Sequence, residues 1–319
     1  MDFRTEYIPK AAAVRLDPRK PAVLLGSCFA DNVGSLMRRS LWNAAVNPCG
    51  TLFNPASVSR AVAMALDDAR IPEPWRGTDG IWRSWDFPAA FAAPSESECV
   101  RKCAEAAASL RASLASADVL TVSFGTSVVY SLAGSPERTV ANCHKQPSGT
   151  FLRRRMDISE TVALWVRTAS ALRETNPGLK LVLTVSPVRH VREGFEENSL
   201  SKAALVLACD EICRLTENCV YFPAFEILND DLRDYRFYAS DLVHPSHVAS
   251  EYVFGKFCDM FIDPDGMLAL RAGRKLSERA AHRPLVADSA AARRFDEETR
   301  RLISEWQESN PLMLTPSEI

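Results

Sequence analysis

The run Ala22-Val23-Leu24-Leu25-Gly26-Ser27-Cys28-Phe29-Ala30 decides how the rest of the chain is read. Four apolar residues stopped by a glycine have the length of a strand buried on both faces, as in a parallel sheet. Gly26 permits a tight turn. Ser27 then stands where a helix would begin. It can cap that helix, or it can be a hydroxyl at a strand end beside helix-start N–H groups that stabilise an oxyanion. Position alone leaves both readings open.

Outward from this run, helical and strand patterns alternate. Residues 31–40 place Val33, Leu36 and Met37 on one helical face. A short strand over 42–47 is broken by Pro48-Cys49-Gly50, and an Ala-rich helix covers 57–68. A helix over 98–116 precedes the strand Val119-Leu120-Thr121-Val122-Ser123-Phe124, which Gly125 stops. Helix 159–175 puts Leu164, Trp165, Ala169 and Leu172 on one face and closes at Asn176-Pro177-Gly178. Strand 181–185, helix 200–215, strand 220–222 and helix 247–261 complete the series. This alternation predicts an α/β fold, a parallel sheet with helices on both faces. Ligands on such sheets bind beyond the C-terminal strand ends.

Residues 1–20 read as an irregular lead-in to a domain spanning 1–262. Within it, 71–97 is a Pro-rich insertion holding Trp75, Trp82, Trp85, Phe87 and Phe91. Such aromatics make a satellite core under a long loop, or a wall on which a sugar stacks. Residues 263–319 read as a helical extension in which Leu302, Ile303 and Trp306 share an apolar face, ending in a loose tail over 314–319.

Composition narrows the class. Of 319 residues, 47% are hydrophobic and 24% charged, which excludes disorder throughout. A net charge of −2 offers no basic excess for nucleic acid. No apolar run approaches the roughly 18 residues of a membrane span. Met1-Asp2-Phe3-Arg4-Thr5-Glu6 does not resemble a secretory signal. Nine cysteines without a C-x-x-C pair read as free thiols in a reducing cytoplasm. Neither a cofactor nor a metal is expected, and oligomeric state is open.

Several residues carry possible chemistry. Asp241 precedes His244 by three, a spacing at which a carboxylate can hold the imidazole tautomer and leave the other nitrogen for a serine. A metal at Asp241, His244 and His247 is the weaker reading. Cys28 is a rival nucleophile to Ser27. Gly50 and Gly125 follow strands and can lend N–H groups to an oxyanion, or serve as plain turns. Asn142-Cys143-His144-Lys145 is a polar block with no structural task visible in the sequence. Ser186-Pro187-Val188-Arg189-His190 ends a strand, so Arg189 and His190 should face a ligand.

Together these blocks resemble the GSCFA family, whose name is the run Gly26 to Ala30. The resemblance extends through Val46-Asn47-Pro48, Phe124-Gly125-Thr126, Asn142 to Lys145 and Thr184 to His190. It continues through Asp234-Tyr235-Arg236-Phe237-Tyr238 and Asp241-Leu242-Val243-His244-Pro245-Ser246, so that it covers roughly residues 1–260 in order. That family is grouped with the SGNH (GDSL-like) hydrolases. The resemblance implies a three-layer α/β/α sandwich with a five-stranded parallel sheet in flavodoxin-like order. It implies Ser27 as nucleophile, His244 as base and Asp241 as its orienting acid. The Ser27 N–H and Gly50 are the implied oxyanion donors. One departure stands out. Gly125-Thr126-Ser127-Val128 puts Ser127 where relatives carry an asparagine donor, so either Ser127 donates or Asn142 reaches in. The implied activity is that of an esterase on O-acyl, especially O-acetyl, groups of a small molecule or glycan. From their own positions His144, Arg189, His190, Trp82 and Trp85 are the candidate substrate contacts. Acyl transfer to a glycan hydroxyl, or carbohydrate binding without catalysis, are the alternatives.

Overall fold

The computed structural model describes residues 4–67, 73–286 and 289–319. Its centre is a five-stranded, all-parallel sheet. The strands are β1 (Ala22–Gly26), β2 (Ala44–Val46), β5 (Val119–Phe124), β9 (Lys180–Val185) and β10 (Cys219–Phe222), in the spatial order β2-β1-β5-β9-β10. Counted within the sheet this is 2-1-3-4-5, the flavodoxin-like order. β1 and β5 are buried at every position, as strands covered on both faces must be.

Alternate strand residues feed two cores. Val23, Leu25, Leu120, Val122, Phe124, Leu181 and Leu183 pack toward α2 (Pro55–Leu66), α3 (Glu96–Ser116), α4 (Ile158–Thr175) and α5 (Phe195–Leu215). Ala22, Leu24, Val119, Val182 and Phe222 pack toward α1 (Cys28–Arg39) and α7 (His247–Phe261). The strand order reverses between β1 and β5, so the crevice where such sheets bind ligands opens where Ser27 and Gly125 leave them.

The expected first helix begins three residues early, at Cys28, because Ser27 caps it and accepts the Phe29 N–H. The expected helix over 57–68 runs Pro55–Leu66, set by the Asn54 cap and a proline in the first turn. Its last expected residue lies outside the described residues, as do residues 71 and 72 of the insertion and 1–3 of the lead-in. Inside the insertion is a small hairpin of β3 (Trp75–Arg76) and β4 (Trp82–Arg83).

An antiparallel sheet went unread in the sequence. β6 (Val128–Leu132) lies between β7 (Ser135–Val140) and β8 (Phe151–Arg155). β7 and β8 read Ser-Pro-Glu-Arg-Thr-Val and Phe-Leu-Arg-Arg-Arg and are largely exposed, so they lack the apolar alternation that marks a strand.

After a short turn α6 (Ala224–Glu226) and the α7 helix come α8 (Pro264–Ala280) and α9 (Ala290–Ser309). Trp306 of α9 is partly buried against the α1–α7 core. The end of the chain is not the loose tail its sequence suggests. Met313 and Leu314 are buried, the Leu314 N–H donates to Leu41 O at 2.8 Å, and Thr315 and Glu318 form a capping box. Among the described residues no helix is long and apolar enough to cross a membrane.

Gly26 makes the central turn possible. Its φ is +127°, and a Cβ there would run into the carbonyl of Ser123 on the neighbouring strand. Both the dihedral and the backbone contact reject a side chain. Gly26→Ala is expected to cost about 3 kcal/mol or more, read as a lowered urea midpoint. A wild-type midpoint in that variant would show that the β1 turn is not so constrained.

Candidate active site

Ser27 sits at the β1 end with its side chain fully buried. Its Oγ accepts from the Phe29 N–H at 3.3 Å and pairs with Ser123 Oγ at 3.0 Å. The turn beneath it is braced by Asn47, which holds a left-handed φ of +43°. Asn47 Oδ1 accepts the Gly26 N–H at 2.8 Å, and its Nδ2 donates to Asp31 Oδ1 at 2.7 Å. Asp31 also accepts from Thr51 Oγ1 at 3.1 Å. The sequence offered Asn47 only as part of a block; its bracing role requires β2 to lie beside β1.

Asp241 and His244 lie on the loop before α7. Asp241 Oδ2 meets His244 Nδ1 at 2.7 Å, and its Oδ1 accepts the N–H groups of Val243 at 2.9 Å and His244 at 3.0 Å. Leu242 between them takes a left-handed φ of +58°. The His244 N–H, then the Val243 N–H and the His244 ring, push the Asp241 carboxyl down to about 2. Nδ1–H therefore donates to a carboxylate, which leaves Nε2 as an acceptor. The Arg189 N–H donates to Val243 O at 3.2 Å. The Arg189 guanidinium lies over the rings of Tyr235 (5.1 Å) and Tyr238 (4.7 Å), which gives the Asp234–Tyr238 block its task.

These groups open on a cavity of about 830 Å³ lined by Cys28, Phe53, Tyr130, Arg153, Arg189, His190, Arg192, Glu197, Asp241 and His244 among others. Ser27 lies behind this lining. Among the described residues it shares no hydrogen bond with His244.

The expected backbone oxyanion donors, and Ser127, are already engaged within the fold. The Ser27 N–H donates to Ser123 O at 2.9 Å, because the β1–β5 ladder runs one residue past the strand end. Gly50 N–H bonds Asn47 O at 2.7 Å, closing the turn after β2. Gly125 and Thr126 N–H both bond Phe53 O, at 2.7 and 3.0 Å. Ser127 is buried, and both its N–H (2.8 Å) and its hydroxyl (3.1 Å) bond Ser201 Oγ of α5. Asn142 turns its Oδ1 to the His144 N–H at 2.7 Å, on the loop after β7.

Trp82, Trp85 and His144 are not among the cavity lining. Trp82 packs on the main core and exchanges backbone bonds with Ala93. Trp85 stacks on Trp75 at 4.4 Å, with His144 edge-on to both. His144 Nε2 bonds Ser84 O at 2.7 Å, and burial lowers its pKa. Trp75, Trp85 and His144 form a satellite aromatic cluster apart from the main core. His247 Nε2 meets the Arg39 guanidinium at 3.1 Å. Among the described residues no three His, Cys, Asp or Glu side chains converge as a metal site. Burial, then Asp31, raise the Cys28 thiol pKa, which disfavours the thiolate a nucleophile needs.

His190 does reach the inner end. A Cβ on Gly125 would lie 3.0 Å from His190 Nε2 and 3.4 Å from Ser27 Cβ, so both border the space that the glycine leaves open. Beneath it, the fully buried Lys202 donates to Gly125 O and Ser186 O at 2.5 and 2.6 Å and clamps the β5 and β9 ends. Lys202 signals nothing by sequence, since it sits at one position of a long helix.

Burial, then Lys202, then His244 push His190 down to about 4, against about 6.5 in an unfolded chain. Between those values the unfolded chain binds more protons, so stability falls as pH drops from about 6.5 to about 4, by up to about 3 kcal/mol. Urea denaturation at pH 7 and pH 4.5 is expected to show a drop about 2 kcal/mol smaller in His190→Gln than in wild type. Equal drops would mean the fold does not hold this ring neutral.

A comparison with curated proteins gives no match. A solved structure, a carbohydrate esterase family 3 from Talaromyces cellulolyticus, is similar with 9% identity and a TM-score of 0.33, over 79% of this chain and 98% of that one. The model of the GSCFA family matches residues 21–257, from the first residues of β1 into α7. With the strand-end serine, the braced turn and the Asp241–His244 loop all inside that span, the chain belongs to the GSCFA family.

Proposed function

We propose that this protein is a serine ester hydrolase of the SGNH type, acting on O-acyl groups, chiefly O-acetyl, of a carbohydrate. The observation that carries the reading is the Asp241–His244 pair. Its carboxylate is held by two backbone N–H groups and fixes Nδ1, so Nε2 is left as a base at the mouth of a cavity. The inner end of that cavity adjoins the strand ends bearing Ser27 and Gly125.

In this mechanism Ser27 Oγ rotates from Ser123 toward the cavity and attacks the ester carbonyl carbon. Its proton passes to His244 Nε2 and then to the departing alcohol. Water repeats the sequence on the acyl-enzyme and frees the acid. Asp241 stays ionised throughout and stabilises the imidazolium. Arg153, Arg189, Arg192 and Glu197 in the lining favour a hydrophilic, hydroxyl-bearing alcohol over a lipid. Residues 1–262 would form the hydrolase domain and 263–319 an extension that buttresses α1.

A second reading, carbohydrate binding without turnover, is favoured by one observation: Ser27 Oγ is fully buried on Ser123. p-Nitrophenyl acetate hydrolysis separates the two. Turnover is expected in wild type, lowered by about 10⁴-fold or more in Ser27→Ala and in His244→Ala, with unchanged circular dichroism. No turnover in folded wild type, with sugar binding that survives Ser27→Ala, would favour the binding reading. Acylated sugar formed in the presence of a glycan acceptor would turn the assignment to acyl transfer.

A further inference from the structure

An attacking serine needs a donor for the negative charge that develops on the carbonyl oxygen. The backbone groups expected to serve are bound elsewhere. Ser27 N–H is on Ser123 O, Gly50 N–H on Asn47 O, Gly125 N–H on Phe53 O, and both Ser127 donors are on Ser201. Resting on the esterase reading above, we propose that His190 is the oxyanion donor of this site, through its Nε2–H.

The placement carries the assignment. His190 Nε2 and Ser27 Cβ both border the space that Gly125 leaves open, and a methyl at Gly125 would fill that space. A carbonyl attacked by Ser27 there would have the His190 ring edge beside it. The ring is held in place. The His190 N–H donates to Asn198 Oδ1 at 2.9 Å, and the ring meets Phe53 edge-on at 5.9 Å. Among the described residues neither ring nitrogen has a hydrogen-bond partner. The ring lines the same cavity as His244.

Chemistry agrees with position. The ring is kept neutral by burial and by the nearby Lys202, so it carries one N–H and is a weak base. A neutral imidazole can polarise a carbonyl without taking part in proton transfer. The two histidines thereby divide the work. His244, fixed by a carboxylate, moves the proton; His190, with no carboxylate, donates a hydrogen bond. When Ser27 Oγ bonds to the carbonyl carbon, the C=O π pair moves onto oxygen and the serine proton goes to His244. His190 keeps its own proton throughout. The Lys202 ammonium, fixed on Gly125 O and Ser186 O, adds a positive field from below.

The test is p-nitrophenyl acetate kinetics across pH with the full-length chain, on wild type, His190→Ala and His190→Gln, with fluorophosphonate labelling of Ser27. His190→Ala is expected to lose about 10²–10³-fold in kcat with KM within about threefold, because the donor acts on the transition state. His190→Gln, which keeps an N–H, is expected to recover to within about tenfold of wild type. The acid limb of the pH profile should stay in place in both variants. Unchanged kcat in His190→Ala, beside active and labelled wild type, overturns the donor assignment alone. So does a shifted acid limb, which would make His190 the base, or a His190→Gln as slow as His190→Ala, which would make its role structural. If His190→Ala does not fold, His190→Gln decides by the same criterion. Wild type that neither turns over ester nor labels at Ser27 overturns the esterase reading, and this assignment with it.

Discussion

The Gly26 turn is the constraint on which the rest depends. β1 and β5 are neighbours in register, Gly26 beside Ser123, and the chain must leave β1 with no room for a side chain. The turn holds because three bonds converge on it. Ser27 N–H continues the ladder to Ser123, Gly26 N–H is accepted by Asn47, and Ser27 Oγ caps α1. One residue thereby ends a strand, starts a helix and sets a hydroxyl at the switch point of the sheet. The strained φ of Asn47 is tolerated because asparagine visits the left-handed region readily.

The neighbouring strand ends are tied down in the same way. Lys202 and Ser201, consecutive on α5, between them hold Gly125 O, Ser186 O, Thr126, and both donors of Ser127. Phe53 O takes two further N–H groups. Every such bond satisfies a buried polar group that would otherwise cost about 1–3 kcal/mol. Bonds of this kind engage the Ser27, Gly50, Gly125 and Thr126 N–H groups within the fold, and the proposed mechanism therefore turns to a side chain for its oxyanion donor. A rigid edge and an unengaged imidazole are thus two sides of one arrangement. By contrast, Trp75 and Trp85 of the insertion pack their rings against each other and against His144, outside the cavity lining.

Legibility in the sequence followed the strength of the local signal. β1, β5 and β9 are apolar bursts ended by Gly or Ser-Pro, and α4 has a clean apolar face, so their type and order were readable. β7 and β8 were not, because Arg, Glu and Pro in half-exposed strands carry no period. Residues 314–319 looked like a tail because a single apolar residue, Leu314, says nothing of the core surface that receives it beside Met313. Asp241 and His244 were legible together because a three-residue spacing is itself a local geometry. The place of Trp82 and Trp85 was not legible, because a ring suits a sugar and another ring equally well; the structure packs them on the core and on Trp75.

Local chemistry in the chain therefore determined the α/β class, the parallel sheet, the turn at Gly26, the Ser27 cap and the Asp241–His244 pair. Each depends on residues close in sequence, or on a period repeated along one element. Tertiary structure alone decided which polar groups at the sheet edge are free. Ser27 with Ser123, Ser127 with Ser201, Gly125 with Phe53 and Lys202 with Ser186 are bonds between elements distant in sequence. A donor carries no mark in the sequence of the partner that will occupy it, so availability emerges only when the strands and α5 are packed.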